Sequence, residues 1–74
     1  MNTENIIKEL KPIDYFIEKS KMTLLFNEDK VLILQDFDDE IMFTFFINNK
    51  LIAGDVENES LFTANFKKYL EADS

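Results

Sequence analysis

The run from Val31 to Val56, VLILQDFDDEIMFTFFINNKLIAGDV, decides the fold. Three apolar stretches, VLIL, IMFTFFI and LIAGDV, are rich in β-branched and aromatic residues. Two polar clusters divide them, Asp38-Asp39-Glu40 and Asn48-Asn49-Lys50. Short apolar stretches bounded by turn residues read as strands joined by hairpins. Upstream, MTLLF at Met22–Phe26 adds one more, set off by Asn27-Glu28-Asp29. The pattern predicts a four-stranded antiparallel meander over 21–26, 30–36, 41–47 and 51–56. The three-residue connection Asn48–Lys50 has a length that commonly places an Asn in the left-handed region.

Outside the meander the period changes. Ile6, Leu10, Ile13 and Ile17 recur at spacings of four, three and four, which predicts one helical face between Thr3 and Ser20. Pro12 lacks a backbone donor and clashes with the preceding turn, so a kink is expected there. After Asn58, a residue suited to cap a helix N-terminus, Leu61, Phe62, Phe66, Tyr69 and Leu70 trace an amphipathic helix. Lys67 and Lys68 suit the negative end of its dipole. The expectation is an α+β fold in a single domain, 1–74: an N-terminal kinked helix, the meander and a C-terminal helix.

Antiparallel sheets with one wet face alternate apolar and polar residues. These strands do not: VLIL is apolar on both faces, and 41–47 sets Ile41, Phe43, Phe45 and Ile47 against Met42 and Phe46. Two short helices can cover one face, and a second copy of the chain is the expected cover for the other, making a homodimer; the alternative is a monomer whose helices split between the faces.

Composition removes several functions. The 74 residues include no His and no Cys, one Gly and one Pro. Imidazole and thiolate catalysis and the usual zinc ligand sets are thereby excluded, as are glycine-rich phosphate loops. A carboxylate pair for glycoside hydrolysis has little room for a cleft in so small a domain. No enzyme activity and no cofactor are expected. The start MNTENIIKEL lacks the basic and apolar regions of a signal peptide, and no apolar run approaches the ~18–20 residues of a membrane helix. A cytoplasmic protein is expected.

Charge says more. Fifteen acids face eight Lys and no Arg, for a net charge of −7. Direct nucleic-acid binding and anionic membranes are disfavoured, since both draw on Lys and Arg. A basic protein surface is the partner this charge permits. Residues 35–59 hold seven acids and one Lys, while the rest of the chain is nearly balanced. On the meander, Asp36, Asp38, Asp39 and Glu40 meet Asp55, Glu57 and Glu59 at one end of the sheet, with Phe37 among them as an apolar anchor. The Asp-x-Asp-Asp-Glu run lacks the turn glycine and the distant Glu of a calcium loop, so no metal site is expected. A solvated rim is the bland alternative. Against it, adjacent like charges are costly where a turn normally takes Gly or Asn. Duplex DNA carries one phosphate charge per ~1.7 Å of axis, and carboxylates on a rigid sheet end imitate that density.

The segments NIIKELKPIDYFIEK and LQDFDDE, with the Phe-rich sheet between and after them, carry a resemblance over the whole chain. It is similar to the small acidic phage-encoded inhibitors of the bacterial DNA sliding clamp from Twort-like staphylococcal phages. The resemblance implies a dimer that occupies the positively charged DNA channel of the clamp and stops host DNA replication in the bacterial cytoplasm. The abundance of Lys, Ile and Asn fits the AT-rich genomes of such hosts. Many clamp partners use a Gln-x-x-Leu-Phe peptide instead. The nearest stretches, MTLLF at Met22–Phe26 and ESLF at Glu59–Phe62, lack the Gln and read as core. Two alternatives remain open: an acidic immunity protein or antitoxin that neutralises a basic toxin, and a non-catalytic structural subunit.

Overall fold

The computed structural model describes residues 1–72. In chain order it contains α1 (Thr3–Leu10), β1 (Asp14–Glu18), β2 (Lys21–Phe26), β3 (Lys30–Phe37), β4 (Glu40–Ile47), β5 (Lys50–Asn58) and α2 (Glu59–Ala72). The strands form one antiparallel meander in the order β1-β2-β3-β4-β5. The α+β class and the C-terminal helix are as the sequence predicts, but the N-terminal helix is short rather than long and kinked, and the sheet has five strands rather than four.

The fifth strand corrects the reading of the N-terminal third. α1 stops at Leu10, and Lys11 takes a left-handed conformation (φ 50°) while its N–H donates to the Ile7 carbonyl. A residue before proline avoids the helical region, so Pro12 ends the helix instead of kinking it. Asp14–Glu18 then pairs antiparallel with β2. Ile13 and Ile17, assigned above to the helix face, are 65% and 49% exposed.

The hairpins are tight. Asn48 and Asn49 both have positive φ, 52° and 65°, the requirement of a two-residue type I′ turn. The connection is therefore two residues long and Lys50 belongs to β5. At the other turn, Asp38 has φ 57° and Asp39 completes the link to Glu40. Asn58 caps α2 as expected: its side-chain Oδ1 accepts from the Leu61 N–H at 3.1 Å.

Both helices lie on one face of the sheet. Ile6 and Leu10 of α1 and Phe62 and Phe66 of α2 pack with Met22, Leu24, Leu32, Leu34, Ile41 and Phe45. The register puts these six strand residues on a common face. Phe45 meets Phe66 edge to face at 5.0 Å, and Phe43 stacks on Phe62 at 4.6 Å. Met22, Leu24 and Phe62 are buried, so MTLLF and ESLF contribute to the core. The helices are tied by an ion pair, Lys67 Nζ to Glu9 Oε2 at 2.9 Å. The opposite face carries Phe16, Leu25, Val31, Ile33, Met42 and Phe46, half-buried or exposed, with no described element over it.

Candidate functional site

The end of the sheet at the β3–β4 turn gathers the predicted acids. Register places Asp36 opposite Ile41, Ile41 opposite Glu57, and Phe43 opposite Asp55. Asp36, Asp55 and Glu57 therefore share the helix-bearing face, while Phe37 and Glu40 belong to the open one. Asp38 and Asp39 form the tip, and Glu59 opens α2 beside them. Asp38, Asp39, Glu40 and Asp55 are exposed, Phe37 is 48% exposed, and Asp36, Glu57 and Glu59 are half-buried. The acids thus wrap around an edge rather than lying on one plane. Lys50, the single base of that sequence window, sits at the opposite end of β5.

Two of the carboxylates already hold a cation. The Met1 side chain packs against the core, which sets its ammonium 2.8 Å from Asp36 Oδ1 and 3.9 Å from Glu59 Oε1. The Asn2 N–H also donates to Glu59 Oε2 at 3.0 Å. The hydrogen bond that the ammonium donates to Asp36 holds it above the ordinary range of an amino terminus, with the Asp36 and Glu59 charges adding to this and partial desolvation opposing it. Sequence reasoning missed this contact because it joins residues 35 and 58 positions apart. The β1–β2 hairpin, also missed, brings Glu18, Lys19 and Lys21 to the same end, with Lys21 opposite Gln35. The anionic stretch is therefore confined to the β3–β5 side.

Asp55 has a second role. The Asp36 N–H donates to the Ser20 carbonyl across from it. Alternate residues of an antiparallel strand bond to opposite neighbours, so even-numbered β3 residues face β2 and odd-numbered ones face β4. Carried across the register, Ala53, Asp55 and Glu57 turn their backbone groups to β4, and Gly54 and Val56 turn theirs to the free edge. Asp55 Oδ1 accepts the outward Val56 N–H at 2.8 Å. At the other edge Asp14 Oδ1 does the same for Tyr15 at 2.8 Å. Each edge strand thus has an outward donor occupied by its own aspartate, a device that blunts edge-to-edge pairing.

Between β5 and α2 runs an apolar groove of about 330 Å³, lined by Phe43, Ala53, Phe62, Phe66 and Tyr69 with Glu57 at its side. Among the described residues, no three Asp or Glu side chains converge as metal ligands would, and no helix is long and apolar enough to cross a membrane. No family model matches the chain, and neither a curated protein nor a solved structure matches it.

Proposed function

We propose that this protein is an acidic DNA mimic that binds a positively charged DNA-binding surface and acts by occupancy, without a catalytic step. The surface it fits is the DNA channel of the bacterial sliding clamp, the target implied by the sequence resemblance, and occupancy there inhibits host DNA replication. One observation carries the reading: the density of charge at one sheet end. Strands lie ~4.8 Å apart, so β3 to β5 spans about 9.5 Å. Over that distance a duplex presents about six phosphate charges. The seven carboxylates there, less the Met1 ammonium, present the same number. The working form is a homodimer joined through the open sheet face, which doubles the anionic row.

The exposed tip is the part to test. The triple variant Asp38→Asn, Asp39→Asn, Glu40→Gln removes three charges that make no hydrogen bond to the core, so the fold persists. Binding to purified clamp at low salt should weaken by about a hundredfold or more, as loss of complementary charge predicts, and duplex DNA should compete with the native protein. Unchanged affinity in the triple variant would reduce the acidic end to a solvated rim. Tight binding that duplex DNA does not contest would point to an immunity-type partner instead.

A further inference from the structure

We propose that the β5 edge and its adjoining groove form a strand-addition site for an extended basic segment of a partner protein, of pattern Lys-x-Lys-x-Phe. The cross-strand row Leu24, Leu32, Phe45 ends at Ala53, the small side chain that leaves the groove between β5 and α2 open toward the sheet edge. The next two β5 residues on that face are Asp55 and Glu57. A strand added antiparallel to β5 shares its faces, because directly opposed residues point the same way. Its residue opposite Ala53 enters an aromatic-walled groove, which suits a large apolar side chain. Its residues opposite Asp55 and Glu57 meet carboxylates, which suits Lys or Arg. Read along the antiparallel partner, the order is base, spacer, base, spacer, apolar anchor.

The backbone supports the same placement. Register is regular from Ala53 to Asn58, and the bulge caused by the extra residue Ile52 lies outside it. Gly54 and Val56 face outward, and the Val56 N–H is held only by the carboxylate of Asp55. An incoming strand replaces that carboxylate with its own carbonyl, and Asp55 turns to the arriving Lys. Asp55 therefore closes the edge to neutral strands and opens it to basic ones. A second copy of the chain brings acids to this edge and is disfavoured there.

The test uses the whole isotopically labelled protein and a capped synthetic peptide, Thr-Lys-Thr-Lys-Thr-Phe-Thr. Half-saturation at or below about 1 mM is expected, with shifts at Gly54, Val56, Phe66 and Tyr69 and slowed exchange of the Gly54 amide. Replacing Phe by Ala, or both Lys by Glu, should weaken binding about tenfold. Methylating the nitrogens of the two Thr that face Gly54 and Val56 should abolish it. Equal binding of the methylated peptide, shifts confined to the open face, or a Gly54 amide already protected by self-association each overturns the proposal. The peptide uses Asp55 and Glu57 but not the tip, so the triple tip variant should bind it within about twofold. Failure here leaves the clamp reading standing, and the reverse also holds.

Discussion

Single residues decide how much of the acidic end is available. Asp36 and Glu59 look equivalent to Asp38 and Asp39 in the sequence, yet the first pair is committed to the Met1 ammonium and the second faces solvent. The reason is register: Asp36 points to the helix side, where Met1 is anchored. An ammonium whose folded value is raised stabilises the fold below its unfolded value and loses that contribution as pH rises through the raised one. Thermal stability should therefore fall as pH climbs above the ordinary range of an amino terminus. The fall should be absent in Asp36→Asn, as scanning calorimetry across that interval would show. Glu9 behaves oppositely, because the hydrogen bond from Lys67 lowers its value. Its contribution is present above the unfolded glutamate range and disappears as pH falls through the lowered one. Lys67→Met should flatten that acid limb, and Glu9 and Lys67 are exposed enough for added salt to shrink their effect.

At the scale of elements, Asn48-Asn49 shows how local chemistry sets register. Both residues hold positive φ, which an L side chain tolerates and glycine adopts freely. Asn49→Gly gives the preferred Asn-Gly turn and should stabilise the protein by roughly 0.5–1 kcal/mol; a loss of stability in urea melts would contradict the turn assignment. β1 teaches a different lesson. Ile6, Leu10, Ile13 and Ile17 match a helical spacing, but the match spans a proline and is coincidental. The usable signal was Tyr15-Phe16-Ile17, a β-rich triplet following Pro12 and ending at Lys19-Ser20, a turn before β2. With only five residues, that strand offers too short a period to distinguish it from a continued helix. MTLLF, VLIL and IMFTFFI were legible because turn residues bound them on both sides.

For the whole molecule the unbalanced sheet is the main consequence. Two helices on one face leave Val31, Ile33 and Phe46 partly exposed on the other, with Phe16 and Met42 beside them. The molecule measures 30 × 21 × 21 Å, so that face is of the order of the ~800 Å² per partner of a standard interface. Sedimentation at micromolar concentration should give twice the 8.7 kDa of one chain. Ile33→Lys, a change at the centre of the face and away from the core, should return it to the mass of a single chain with its circular dichroism unchanged. A native protein that sediments as one chain removes the dimer.

The sequence by itself determined the class of fold, the hairpins from Met22 onward, the cap at Asn58 and the concentration of acid in residues 35–59. Each rests on neighbours within a few positions, where periodicity, turn residues and capping act. The tertiary structure decided the fifth strand, the side of the sheet on which each acid stands, and the pairing of Asp36 and Glu59 with Met1. It also decided the groove that Ala53 leaves beside α2. These depend on cross-strand register and on how the helices seat, and a change of register by one residue would move every one of those side chains to the other face.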